Sequence, residues 1–254
     1  MVRCLACGFI YQNPRPSEEE RLNSYQQYLP QGAEEIEAWG RMMAPVFRKG
    51  ADLIERYIPR GRLLDVGTGY GFFPALMQLR GWNVTGLEVS PTGVHYGRKR
   101  WGLRMLPQPW ERASLQEKEF DVVTAFYVIE HLPDPLAFLR EVHRIVKPGG
   151  MILLRYPHTT PIKDILSCMR IKNHLYHLPF HLCDFSPMSM HRVLGKTGFT
   201  KIKTVVGGFT APPNLKGQCA GIIFGNLAKM VYQLSRGKIL LPGVSKTTFA
   251  RKGK

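Results

Sequence analysis

Leu63-Leu64-Asp65-Val66-Gly67-Thr68-Gly69-Tyr70-Gly71 is the stretch on which the fold of this 254-residue chain turns. Its first four residues end a short strand that starts at Arg62, and its three glycines make a tight bend. Phe72 to Leu79 then reads as a helix, with Pro74 in the first turn, where a missing N–H matters little, and Gly81 just past the end. Glycine lets a backbone approach a ligand closely and take φ values that other residues resist. In an open α/β sheet, ligands sit beyond the carboxyl ends of the strands, which is where this bend would lie.

The next strand, Trp82 to Glu88, ends in an acid 23 residues after Asp65. A carboxylate there can accept both hydroxyls of a ribose, so the pattern points to an adenosine-type cofactor. A dinucleotide fingerprint, G-x-G-x-x-G, would need glycine at position 72, but Phe72 stands there and glycine falls at 71. Asp65, two places before Gly67, would disfavour a pyrophosphate and favour the ammonium of a methionine moiety.

Outward from the bend, strands and helices alternate. A helix opens at Ser90-Pro91, a short strand covers Leu103 to Leu106, and Phe120 to Phe126 is a strongly apolar strand. Asp134-Pro135 starts a helix running to Val146, stopped by Lys147-Pro148-Gly149-Gly150, and Met151 to Tyr156 is one more strand. Such alternation predicts an α/β fold with a doubly wound, mostly parallel sheet.

Upstream, Ser17-Glu18-Glu19-Glu20 reads as a capping box. One helix is expected from about Glu34 and a separate one from Val46 to Ile58, where apolar residues recur at helical spacing. Downstream, residues 157–185 lack a period, are rich in His, Pro and Met, and read as an inserted cap. Ser186-Pro187 opens a helix, followed by a strand from Phe199 to Val206, a helix over about Gly217 to Leu234 and a strand over about Val244 to Ala250. The expected organisation is therefore an N-terminal segment (1–45), a cofactor-binding core (46–156), the cap (157–185) and a C-terminal part (186–254) that completes the sheet.

Hydrophobic residues make up 44% of the chain, enough for a sizeable core. No apolar run approaches the length of a membrane span. Five cysteines and no charged-then-apolar leader suggest reduced thiols and a cytoplasmic location. Charge is unevenly placed: residues 1–146 carry 18 basic and 17 acidic side chains, whereas residues 147–254 carry 17 basic ones and only Asp164 and Asp184 as acids. That second part reads either as a solvated basic surface or as one meeting an anionic partner: a phosphorylated substrate, an anionic lipid or nucleic acid. The helix near the C-terminus groups Ile223, Leu227, Met230, Val231 and Leu234 on one face, with Lys229 and Arg236 nearby. It reads first as packed on the domain and second as a peripheral membrane contact.

These motifs resemble, in order and at the expected intervals, those of the class I S-adenosylmethionine-dependent methyltransferases. The glycine stretch resembles motif I, and Leu87-Glu88-Val89-Ser90 the ribose-binding segment. Phe120-Asp121-Val122-Val123 with Val128-Ile129-Glu130-His131-Leu132-Pro133-Asp134-Pro135 resembles the fourth-strand motif, and Glu141 to Gly150 the helix and turn before strand five. The resemblance covers about residues 60–156. It implies a Rossmann-like methyltransferase fold with S-adenosyl-L-methionine as cofactor. By it, Asp65, Gly67, Thr68, Gly69 and Gly71 hold the methionine portion, Glu88 the ribose, Val89 and Trp110 flank the adenine, and Ala125 and Phe126 offer carbonyls to the ammonium. The acceptor pocket is expected beyond Tyr127 and His131, under the cap.

More weakly, Cys4-x-x-Cys7-Gly8 and Asn13-Pro14-Arg15-Pro16-Ser17 resemble the start of bacterial methyltransferases that carry a small zinc ribbon, the other half of which would lie upstream. His181-Leu182-Cys183-Asp184-Phe185-Ser186 resembles their His-Leu-Tyr-His-Phe-Ser segment, with Cys183 and Asp184 as departures. No complete metal site is assigned. His174, His177 and His181 with Cys183 and Asp184 read first as an acceptor-site lining or cap surface, with metal binding as the lesser alternative.

Transfer from a sulfonium needs positioning more than acid–base help. Where the acceptor must lose a proton, His131 is the leading candidate base, with a cap or cofactor-side structural role as the alternative reading; His158 and His181 are weaker candidates. The position used by base-amino methyltransferases for [DN]-P-P-[YF] reads Ala125-Phe126-Tyr127-Val128, and no Pro-Cys pair exists for cytosine C5 chemistry. The expected activity is methylation, chiefly O-methylation, of a small acceptor of anionic or lipid-linked type. RNA methylation and cofactor binding without turnover are the alternatives.

Overall fold

The computed structural model describes residues 1–21, 29–172, 174–207, 215–237, 239–241 and 245–253. A seven-stranded sheet runs in the order β5-β4-β3-β6-β7-β10-β9. Its members are β3 (Arg62–Val66), β4 (Asn83–Leu87), β5 (Arg104–Leu106), β6 (Phe120–Phe126), β7 (Val146–Tyr156), β9 (Phe199–Val206) and β10 (Lys246–Lys252). β5, β4, β3, β6 and β7 are mutually parallel, whereas β10 lies antiparallel between β7 and β9. The strand order reverses between β3 and β6, so a crevice opens beyond their carboxyl ends.

The helices are α1 (Ala33–Glu55), α2 (Phe72–Leu79), α3 (Pro91–Trp101), α4 (Pro135–Ile145), α5 (Thr160–Cys168), α6 (Pro187–Lys196) and α7 (Leu215–Leu234). Alternate strand residues feed two cores on opposite sheet faces. Leu63, Val122, Met151 and Leu153 pack with Met43, Phe47, Ala51 and Ile54 of α1 and with Phe73 and Met77 of α2. Leu64, Val123, Ile152 and Leu154 pack with Phe138, Leu139 and Val142 of α4 and with Met190 and Leu194 of α6. That is the period-2 alternation of a sheet covered on both sides.

Three expectations need correction. The two helices expected on either side of residue 45 are one, α1, with Pro45 inside it. The ring removes one backbone hydrogen bond, but Ile36, Met43, Val46, Phe47, Ala51 and Ile54 are buried along one side, and that burial carries the helix through the break. The boundary expected between 45 and 46 thus falls mid-helix. Second, β7 begins at Val146, directly after α4, not at Met151. Phe120 pairs with Val146 and Val122 with Met151, so Lys147 to Gly150 form an irregularity in the ladder rather than a separate turn. Third, α7 is not packed by the apolar stripe expected of it. Ala228 is buried and Tyr232 Oη donates to the Thr204 carbonyl at 3.3 Å, whereas Ile223, Leu227, Met230 and Leu234 are exposed. The expected start of the last strand at Val244 lies outside the described residues, as do the side chains at the start of α7, Cys219 included.

A smaller sheet joins β1 (Val2–Arg3), β2 (Ile10–Tyr11) and β8 (Cys183–Asp184). It ties the N-terminal segment to the end of the cap. The cap itself is more ordered than its sequence suggests. Asp184 accepts from the Thr159 and Thr160 amides, each at 3.0 Å, and from the Thr160 hydroxyl, and so caps α5. The capping box at residues 17–20 is present: Ser17 N donates to Glu20 Oε2 at 2.7 Å and Glu20 N to Ser17 Oγ at 3.2 Å.

Candidate active site

The glycine bend adopts the conformation its composition demands. Gly67, Gly69 and Gly71 have φ of +67°, +57° and +80°. A Cβ on Gly67 would come within 2.4 Å of Val128 Cγ2, so this position has neither the conformation nor the room for a side chain. Two acids organise the bend. Asp65 accepts from Thr124 Oγ1 at 2.5 Å and from Thr68 Oγ1 at 2.9 Å. Glu88 accepts from the Gly69 amide at 2.6 Å through one oxygen and from the Val89 and Ser90 amides at 2.9 and 2.8 Å through the other. Glu88 therefore clasps the bend to the end of β4. Burial pushes the Asp65 carboxyl up to about 7, against its two hydroxyl donors. Burial also raises Glu88, against three amide donors that favour its charged form.

A cavity of about 600 Å³ starts at the bend and runs toward the cap. Asp65, Gly67, Thr68, Glu88, Val89, Trp110, Phe126 and His131 all line it. Three expected cofactor residues do not. Ala125 is fully buried in β6, and Gly71 packs where a Cβ would meet Leu103 and Trp101. Gly69 contributes its amide to Glu88 rather than a wall.

Other lining residues were not singled out in the sequence. Trp39, Met43 and Phe47 of α1 form one side. The Phe126 ring lies there tilted against Phe73 at 4.6 Å and edge-on to Phe47 at 5.3 Å. The signal for them was the apolar face of α1, which reads equally as core.

At the far end the cavity meets Tyr127, Val128, His131 and Leu132 from the segment after β6, with His177 and Phe180 from the cap. His131 belongs to a 3-10 turn, Ile129–His131, and its Nδ1 lies 2.9 Å from the Phe180 carbonyl. A carbonyl only accepts, so Nδ1 carries the hydrogen and Nε2 the lone pair. Burial lowers His131 to about 4, which keeps the ring neutral. His158 and His181, the weaker candidates, do not line the cavity. Cys183 and Asp184 lie in β8, where burial pushes the Cys183 thiol up to about 12.

A mostly parallel sheet with a glycine bend at its switch point, a carboxylate at the end of the next strand and an aromatic-walled cavity defines a nucleoside-cofactor enzyme of the class I methyltransferase type. The comparisons agree. Residues 39–204 match the family described as Methyltransferase domain. Over 155 residues the chain is 27% identical to the ubiquinone biosynthesis O-methyltransferase of Pseudomonas aeruginosa (strain UCBPP-PA14) and 30% identical to that of Pseudomonas putida (strain GB-1), covering 58% of this chain and 67% of each relative. Among solved structures, it is similar to a SAM-dependent methyltransferase, possible histamine N-methyltransferase, from Thermotoga maritima (TM-score 0.62, 18% identity, 91% of this chain and 99% of that one). It is also similar to Haemonchus contortus phosphoethanolamine N-methyltransferase 2 in complex with S-adenosyl-L-methionine (TM-score 0.56, 17% identity, 92% of this chain and 60% of that one). Those two likenesses speak for the fold. The chain belongs to the methyltransferase domain family and is an S-adenosylmethionine-dependent methyltransferase.

Proposed function

We propose that the enzyme methylates a hydroxyl on a small, largely apolar acceptor bound at the cap end of the cavity. The observation that carries this reading is the continuity of one cavity from the glycine bend to His131, walled by Phe47, Phe73, Phe126, Leu132 and Phe180. The O-methyltransferase relatives support it. S-adenosylmethionine supplies an activated methyl group when bound. The chain's own residues do the rest. Asp65 and the bend receive the methionine portion, while Glu88, Val89 and Trp110 receive the nucleoside. The aromatic walls exclude water. His131 Nε2 accepts the hydrogen bond of the acceptor hydroxyl and takes its proton as the new C–O bond forms and the methyl–sulfur bond breaks.

A lipid-linked acceptor suits the exposed apolar face of α7, and among the described residues no helix is long and apolar enough to cross a membrane. The second reading is an anionic or RNA acceptor. It is favoured by a separate open groove lined by His191, Arg192, Lys203 and Arg236, which shares no residue with the main cavity. Incubation with methyl-labelled cofactor and fractionated cell extract tests both. Label is expected in an organic-extractable small-molecule fraction, with turnover falling about 100-fold in His131→Ala while cofactor affinity holds. Label confined to RNA would replace the first reading by the second.

A further inference from the structure

The fold brings a cluster together at the acceptor end that the cofactor does not use. Glu130 and His131 sit on the 3-10 turn after β6, and His181 comes from the cap. Two bonds fasten the cap to that turn: the Leu182 amide donates to the Glu130 carbonyl at 2.8 Å, and His131 Nδ1 to the Phe180 carbonyl at 2.9 Å. The His131 and His181 rings then meet at 4.8 Å between centroids and 82° between planes. One carboxylate oxygen and one nitrogen from each ring lie within 4.8 Å of one another.

Glu130 is the unusual member. It is fully buried, and among the described residues no other residue hydrogen-bonds to its carboxylate oxygens, its own backbone amide being the one group that favours the charged form. A buried carboxyl so poorly served is unfavourable whether charged or neutral, and native proteins rarely leave one so. A cation between the three side chains resolves it. Ligand atoms around one ion stand about 3–4 Å apart, so the side chains need close only slightly. The His131 arrangement also fits: an imidazole that ligates through one nitrogen commonly donates its other N–H to a backbone carbonyl. Of the three, His131 lines the cavity, which sets the cluster against the acceptor end.

We infer that Glu130, His131 and His181 form a binding site for one divalent transition-metal ion at the cap end of the cavity. Two imidazole nitrogens and one carboxylate oxygen suit Zn²⁺, Co²⁺ or Fe²⁺ better than Mg²⁺ or Ca²⁺, which prefer oxygen. In the loaded protein an acceptor hydroxyl meets the ion in place of His131 Nε2. The site borrows its location from the acceptor reading above, but its test reads metal binding and not methyl transfer, so the two can fail separately.

The test uses the full chain with Cys4→Ser, Cys7→Ser and Cys168→Ser, which removes the N-terminal thiol pair and the exposed Cys168 as competing ligands. Titration with Co²⁺ is expected to give one equivalent of bound ion with visible d–d absorption. Glu130→Gln and His181→Asn are each expected to weaken binding more than about 100-fold, with unchanged S-adenosylhomocysteine affinity as the check on folding. If either variant fails to fold, X-ray absorption of the Zn²⁺-loaded parent decides, with two imidazole ligands and no sulfur expected. Absence of Co²⁺ bands, bands that survive either substitution, or sulfur in the coordination sphere would overturn the assignment.

Discussion

Gly67 is constrained in two ways at once. Its φ of +67° and the 2.4 Å approach of Val128 leave no place for a branched side chain. Gly67→Val is expected to lower cofactor affinity by about 100-fold or more, since a β-branched residue held in the left-handed region is strained by roughly 1–3 kcal/mol before any clash. Calorimetry with S-adenosylhomocysteine, beside an unchanged far-ultraviolet spectrum, checks this; full affinity in a folded variant would remove the bend from the site. Asp65 gives a pH signature. Its carboxyl, raised to about 7 by burial, is protonated below that pH in the ligand-free protein and must ionise to face an ammonium. Affinity should therefore climb up to about tenfold per unit as pH rises toward 7, then fall above about 8 as the ligand's own α-amino group loses its proton. A flat affinity profile across that range would show that Asp65 does not face the ammonium.

At the scale of elements, capping explains why helix starts were readable. Asp134 Oδ1 accepts from the Ala137 amide at 2.9 Å, with Pro135 at the first helical position of α4. Asp134→Ala is expected to lower stability by about 1 kcal/mol in urea unfolding and leave cofactor binding unchanged. Ser90-Pro91 and Ser186-Pro187 work the same way, and all three starts stood in the sequence. Strands β3, β6 and β9 were equally legible, the first two as short apolar runs between helical segments and β9 as an alternation of Phe199, Ile202 and Val205 with Thr and Lys. Harder to see were features decided by distant partners. Pro45 looks like a breaker until the buried side of α1 is known, and Gly149 looks like a stop until Val146 is seen paired with Phe120. Along the cavity, Asp65, Gly67 and Glu88 were picked out by spacing, and His131 by the resemblance of the segment after β6. The meeting of Glu130 with His181 was not, because it depends on the cap folding back onto the turn after β6.

For the molecule as a whole, the cofactor half and the sheet's far edge are built differently. The five parallel strands from β5 to β7 alternate with helices, whereas β9 reaches the sheet through β10, which pairs with β7 on one side and β9 on the other. Phe249 anchors that strand: it is buried on the α1 side of the sheet and lies 5.0 Å from the Tyr57 ring. Phe249→Ala is expected to destabilise the chain by about 3–5 kcal/mol in denaturant unfolding. A loss under about 1 kcal/mol would mean that β10 is an ornament rather than a joint. The order of synthesis gives this arrangement a further meaning. While a ribosome is still making the chain, β9 emerges with no edge to join, and it must wait for residues 246–252 before it can enter the sheet. Until then β7 presents a bare border to the crowded surroundings of the nascent chain, and that interval is when this protein is most exposed to pairing with a stranger.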